Sequence, residues 1–323
     1  MDVNDQWWTL LHYATMAPSS HNTQPWRFRV QKGTAELRAD RSRALPVVDP
    51  DGRELVISCG AALLHLRVAV HHFGFGERTV ILPDADDPDL LARIELTQRP
   101  SGSSDDALFE AISQRRTNRL PFEPEPLPRD LLPEVEDAAR AEGAWLTPIR
   151  ADADRRRLAE LIAEGDLIQA GDPNLRREMA EWVRANDSAR RDGLRGYSFG
   201  HGRLASLLAP IYIKYAGWGE TQAASDRELA LTAPVIAVLG TETDDAGAWM
   251  QAGQALGRVL LVAQSRGISA SFLNQPIQVA SLRDSVRVIA GASGYPQLCL
   301  RFGRGREVRP SPRRPLEDVI DNR

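Results

Sequence analysis

Apolar and polar positions follow two rhythms along this chain, and each rhythm predicts a kind of element. Residues 5–17 (DQWWTLLHYATMA) carry apolar side chains three and four apart, which predicts a helix stopped by Pro18. Trp26–Val30 and Ala35–Ala39 alternate apolar with polar residues and predict two strands. Leu55–Phe73 predicts a long buried helix closed by Gly74, with strands after it at Arg78–Leu82 and Ala92–Leu96. The stretch TQRPSGSSDD (97–106) has the composition of a linker, so the main boundary is placed there, between residues 1–105 and 106–323. Beyond it a helix is expected up to QRRTNRL, then two charged helices over Arg129–Glu142 and Asp152–Ala170. A buried strand at Pro234–Leu239, a helix over Gly247–Arg266 and strands at ISASFL and QLCLRF complete the pattern. Residues 171–230 are rich in arginine and aromatics and only weakly periodic.

One helix pattern recurs. CGAALLHLRVAVHHFG (59–74) aligns with AGQALGRVLLVAQSRG (252–267) at an offset of 193 residues, pairing Gly60 with Gly253 and Gly74 with Gly267. The stripe Cys59, Leu63, Leu66, Val70 falls in phase on Ala252, Leu256, Val259, Ala263. Any two buried helices can be matched in this way, so duplication and coincidence both stay open on this observation.

Composition narrows the classes. With 323 residues, 42% hydrophobic and 26% charged, the chain can bury a full core. A net charge of −4 argues against a basic face for nucleic acid. No apolar run approaches a membrane span, and the start MDVNDQWW lacks the basic region of an export signal. The expectation is therefore a cytoplasmic protein with neither nucleic-acid nor membrane partners. Cys59 and Cys299 show no CxxC or metal spacing, so free thiols are the simpler expectation, with a single disulfide as the alternative.

Three polar clusters carry the chemistry. APSSHNTQPWRF (17–28) gathers Ser19, Ser20, Asn22, Thr23 and Gln24, neutral hydrogen-bonding groups suited to a planar heterocycle or to a plain capping turn. RRTNR (115–119) places Arg115 and Arg119 four apart, so they are expected to share a helix face, with the Thr117 hydroxyl between. That set suits a phosphate, or a solvated basic helix end. SPRRPLEDVI (311–320) adds Arg313 and Arg314. His21 either touches substrate or, as is commoner for loop histidines, is merely exposed, while His65, His71 and His72 lie on the core helix without a supporting carboxylate, so no metal site is expected. GRGR (303–306) lacks the strand and helix of a phosphate loop.

Together and in this order, APSSHNTQPWRF, RRTNR and RRPLEDV resemble the signatures of nitroreductase-like flavoproteins. ALPVVDPDGRELVISCGAAL (44–63) with RRTNRLPF resembles the Acg-type subfamily of actinobacteria more closely. The resemblance implies an α+β fold of central antiparallel or mixed sheets with helices packed around them, and it implies FMN as cofactor. In such proteins one subunit's arginine motif and basic pair hold the flavin phosphate, and the partner's serine loop meets the ring. Carried onto this chain, the phosphate side is Arg115, Arg116, Thr117, Arg119, Arg313 and Arg314, and the ring side is Pro18, Ser19, Ser20, Asn22 and Gln24. Asn274 and Gln275 in SFLNQP stand where the family approaches flavin N5. The implied reaction passes hydride from NAD(P)H through N5 to a small-molecule acceptor, a nitroaromatic or quinone, with no obligatory catalytic side chain.

A family subunit carries both motifs. Here the first half has the loop without the arginines, and the second has the arginines but reads AARAEGAWLTPI (138–149) where a loop is expected. The expectation is a fused pseudo-dimer with one FMN site, monomeric or weakly homodimeric. The insertion 176–228, with Trp182, Tyr197, Phe199, Tyr212 and Trp218, is either a lid over the flavin or a surface helical pair. A closed lid would make the protein an FMN-sequestering store instead of a reductase.

Overall fold

The computed structural model describes residues 3–31, 33–98 and 105–321 of the chain. The expected boundary at 97–106 therefore falls mostly on residues outside those described.

The first part runs α1 (Val3–Ala14), β1 (Trp26–Gln31), β2 (Thr34–Ala39), α2 (Arg53–His72), β3 (Phe75–Ile81) and β4 (Leu90–Gln98). Next come α3 (Asp106–Gln114), α4 (Leu131–Ala141), β5 (Trp145–Pro148), α5 (Asp152–Gly171) and α6 (Pro173–Trp182). A two-stranded ribbon follows, β6 (Val183–Arg184) with β7 (Leu194–Arg195), then α7 (Arg203–Tyr215) and α8 (Gly219–Thr232). The chain closes with β8 (Val235–Thr241), α9 (Ala246–Ser265), β9 (Ser269–Phe272), α10 (Gln275–Gln278), α11 (Ala280–Ala290), β10 (Tyr295–Gly303) and β11 (Ile320–Asp321).

Two main sheets share one design. The first is ordered β11-β1-β2-β4-β3 and the second β5-β8-β10-β9. Setting β11 aside, each reads first, second, fourth, third strand of its own half, every pair is antiparallel, and the long helix follows the second strand. Both halves even break register between their second and fourth strands, at Leu37/Arg38 and at Pro296/Leu298. The β5–β8 connection, residues 149–234, replaces the tight β1–β2 turn and contains α5 to α8. β11 pairs in parallel with β1, tying the end of the chain to the first sheet.

The repeated helices pack on each other where their glycines meet. A Cβ on Gly60 would lie 2.5 Å from the Met250 carbonyl oxygen, and one on Gly253 would lie 2.1 Å from that of Ile57. Met250 stands 193 residues after Ile57, so the two contacts are exchanged by the offset of the sequence repeat. Such reciprocity is the mark of a two-fold axis. Both helices end as expected, with Gly74 and Gly267 at φ of +86° and +68°.

Burial explains the apolar composition of α2. It lies between its own sheet and α9, so nearly every side is covered. The helix is long and apolar enough to cross a membrane, contrary to the sequence expectation, with mean hydropathy 1.4 over a window that is 83% buried. Cys59 and Cys299 are buried free thiols. Two other expectations need correction. α3 ends at Gln114, so Arg115–Arg119 is not helical; Thr117 forms an isolated bridge to Ala270. AARAEGAWLTPI holds a helix end and β5, a strand too short to betray itself by alternation.

Candidate functional site

The loop after α1 is built under backbone strain. His21, Asn22 and Gln24 have φ of +48°, +54° and +54°, a region that non-glycine residues enter at a penalty of about 1–3 kcal/mol each. Their surroundings hold them there. Asn22 donates from Nδ2 to the Gly193 carbonyl at 3.2 Å and the Pro312 carbonyl at 3.1 Å, and its Oδ1 accepts from Arg313 at 3.0 Å. Gln24 donates to the Arg191 carbonyl at 2.9 Å and accepts from the Arg314 backbone N–H at 2.7 Å. The Ser19 hydroxyl accepts from the Gln24 N–H, and the Ser20 hydroxyl donates to buried Glu54. Pro18 is buried beside them. The side chains of Ser19, Ser20, Asn22 and Gln24 are thus engaged with protein, those of Asn22 and Gln24 clamping ribbon and tail to the first half.

Arginines from the second half converge on the same loop. Arg115 and Arg313 each donate to the Met16 carbonyl, at 3.4 and 3.2 Å. Arg116, half-buried, turns back to the Ser113 and Arg115 carbonyls. The segment leaves the helix at Arg115 and is pinned by the Thr117–Ala270 bridge, so a helical period of four does not govern it. Arg119 lies over the Phe199 ring, its Cζ 5.3 Å from the ring centre. Arg314 departs from the cluster, lying 3.6 Å from Asp40 and donating to the Gln24 carbonyl.

Glu307 acts on Arg116 and Asp226 on Arg119, but only from beyond contact. Among the described residues no carboxylate lies within ion-pair distance of Arg115, Arg116, Arg119 or Arg313. The buried Nε atoms of Arg115 and Arg313 have no hydrogen-bond partner. Burial and then mutual repulsion push Arg115 down to about 9 and Arg313 to about 10, while burial holds Arg119 near 10. Unpaired buried guanidinium groups are unfavourable unless an anion arrives, so the donor set fits a phosphate.

Asn274 and Gln275 stand at the start of α10 with their side chains turned to structural duty. Asn274 Oδ1 accepts from the Cys299 N–H at 2.9 Å. Gln275 Nε2 donates to Asp166 at 3.1 Å and to Asp226 at 2.7 Å. Burial, then the charge of Asp226, pushes the Asp166 carboxyl up to about 8, well above the ordinary carboxylate range.

Several participants escaped the sequence reading. Arg301 on β10 is 1% exposed, donates to the Asn118 and Leu120 carbonyls, and stacks 4.2 Å from the Phe122 ring centre. Its only sequence signal is a charge inside an apolar strand, as Glu54 is an acid inside an apolar helix. His21 is half-buried, its Nδ1 unpartnered, its pKa lowered chiefly by burial. His71 and His72 pair with Asp105 and Asp106, both at 2.8 Å, as tethers to the start of α3.

The insertion lies across this site. Its ribbon meets Asn22 and Gln24, Asp192 pairs with Arg43 at 2.6 Å, and Tyr197 donates to the Pro310 carbonyl at 2.9 Å. Glu178 caps the Val47 and Val48 N–H groups. The ribbon closes tightly on itself: a Cβ at Gly193, whose φ is +74°, would fall 2.5 Å from the Trp182 carbonyl oxygen.

Residues 112–304 match the family model described as "Nitroreductase family". A Mycobacterium tuberculosis protein provisionally named an NAD(P)H nitroreductase, Rv3131, is 35% identical over 97% of this chain and 90% of its own length. Another protein of that organism with the same provisional name, acg, is 29% identical over 95% of this chain and 92% of its own. Among solved structures, the FMN-dependent nitroreductase NfnB of Mycobacterium smegmatis, in complex with NADPH, aligns at 19% identity and TM-score 0.43, over 66% of this chain and 96% of that one. A family model spanning more than half of the chain, together with a relative 35% identical across nearly its whole length, shows that this protein belongs to the nitroreductase family.

Proposed function

We propose that the protein is an FMN-dependent oxidoreductase that takes reducing equivalents from NAD(P)H and passes them to a small-molecule acceptor such as a nitroaromatic or quinone. The observation that carries this reading is the buried, carboxylate-free meeting of Arg115 with Arg313 at the Met16 carbonyl. FMN, when bound, supplies the ring that accepts and returns hydride. In this reading Arg115, Arg116, Arg313 and the Thr117 hydroxyl hold the phosphate, Arg119 adds to the positive charge, and Asn22 fixes the Arg313 guanidinium. The first-half loop and the Asn274–Gln275 segment border the ring, their side-chain hydrogen bonds making a rigid frame; Gln24 and Arg314 belong to that frame.

The two matched halves are read as a duplicated and fused pair, 1–105 and 106–323, whose single composite site takes the loop from one and the arginines from the other. A second reading, FMN sequestration, is favoured by the ribbon and the turn that follows it, which are seated on the loop through Asn22, Gln24, Arg43 and Arg119. Purified protein is expected to be yellow, or to turn so on adding FMN; no flavin bands under either condition would end both readings. Anaerobic mixing with NADPH or NADH separates them. Rapid bleaching supports the reductase, whereas bleaching by dithionite alone supports storage.

A further inference from the structure

We propose that α7 is a docking face for an anionic lipid bilayer, on which the protein lies without entering it. The helix is built inside out. Leu204, Leu207, Leu208, Ile211, Tyr212 and Tyr215 are 78, 50, 63, 60, 53 and 73% exposed. At about 100° per residue these six share one side. Ser206, opposite them, is fully buried, and its hydroxyl accepts from the Asn186 N–H at 3.1 Å. A surface helix of a globular protein turns its apolar stripe inward. A contiguous outward stripe of this kind marks a contact surface.

Charge selects the occupant. Residues 193–219 contain no aspartate or glutamate, and since Arg195 is buried their surface cations are Arg203 and Lys214. Arg203 shares its charge with Asp187 at 2.9 Å, while Lys214 is free of any carboxylate among the described residues. The tail 303–314 runs beside the turn on which α7 packs: Arg309 lies 5.9 Å from the Tyr197 ring, and Gly196 of that turn meets Ser206. Arg304, Arg306 and Arg309 of this tail are exposed, with Glu307 its one acid. An apolar stripe rimmed by cations, with two tyrosines at one end, is the pattern of a helix lying in the lipid interface. A second copy fits less well. Antiparallel pairing of two such helices sets Lys214 of one against the Arg203 end of the other, with no acid on either helix to meet it. The expectation of no membrane partner rested on the lack of a spanning segment; the 13-residue α7, about 20 Å long, needs none.

The inference is independent of the flavin reading. Full-length protein is sedimented with vesicles of phosphatidylcholine alone or mixed with phosphatidylglycerol, at low and high salt. Binding to the anionic vesicles is expected at least about tenfold tighter than to neutral ones, and weakened by salt. The double substitution Leu208→Glu and Ile211→Glu, both exposed, should abolish it while the melting temperature stays within a few degrees. Lys214→Glu should weaken it. Failure to pellet with anionic vesicles overturns the proposal, as does undiminished binding by the double variant. Dimerisation in light scattering that the double variant abolishes, without vesicle binding, would assign the stripe to a second copy and overturn it equally.

Discussion

Arg115 places binding and stability in opposition. It is 5% exposed, repelled by Arg313 and Arg116, and left with one unpartnered nitrogen. Arg115→Met keeps much of the volume and removes the buried charge, so the flavin-free protein should melt at a higher temperature. The same change removes charge-assisted hydrogen bonds worth roughly 1.5–3 kcal/mol, so FMN affinity should fall by about 10- to 150-fold. Calorimetry of the flavin-free variant and fluorescence titration with FMN read the two effects; unchanged affinity would remove Arg115 from the phosphate site. Asp166 gives the pH counterpart. Its folded pKa, about 8, lies above the ordinary 3.8, so ionising it opposes folding. Stability should therefore decline as pH rises through that window, with the penalty complete above about 8. Asp166→Asn imitates the protonated carboxyl and should flatten that decline, melting higher than the parent at pH 8 by a few degrees, on the scale of about 2–4 °C per kcal/mol. Parallel melting profiles at pH 5 and pH 8 would show that the pair carries no such proton.

At the scale of elements, the strained loop and its cover form one latch, and Asn22 is where it can be tested. Asn22→Ala loses three hydrogen bonds and places a Cβ-bearing residue without Asn's tolerance at φ +54°. Asn22→Gly loses the bonds but keeps the backbone conformation. The alanine variant should be less stable by about 2–3 kcal/mol and the glycine variant by about 1–2 kcal/mol. Both should be cut faster by trypsin at Arg190 and Arg191, since Asn22 and its neighbour Gln24 hold that ribbon; an unchanged rate would show that the latch lies elsewhere. Elements with a clean rhythm were legible in the sequence: α2, α9, β1, β2, β8 and β10 lie where periodicity puts them. The 171–230 region was not, for physical reasons. β6 and β7 have two residues each, too few to alternate, and α7 carries its apolar stripe outward, so its rhythm signals no core. The arginine motif was legible as chemistry but not as geometry, because α3 stops at Gln114 and the segment is pinned instead by a bridge from Thr117 to Ala270.

At the scale of the molecule, the pseudo-two-fold axis makes predictions that neither half makes alone. Gly60 and Gly253 sit across it in exchanged contacts, so Gly60→Ala and Gly253→Ala should destabilise by similar amounts, about 1–3 kcal/mol each or somewhat more. Unequal losses would mean that the contacts only look symmetric. Yet the symmetry is broken where the cofactor would sit. Between α1 and β1 the first half spends residues 15–25 on the loop, whereas between α4 and β5 the second half has only residues 142–144. Three residues cannot reproduce the left-handed turns or the Asn22 contacts that seat Arg313. On the composite-site reading proposed above, the chain has the loop for one flavin. Titrating flavin-free protein with FMN should therefore saturate at one equivalent per chain, whether light scattering finds one chain or two in solution. Saturation at two equivalents would require a second phosphate site and would overturn the composite-site reading, while leaving the matched strand order of the two halves intact.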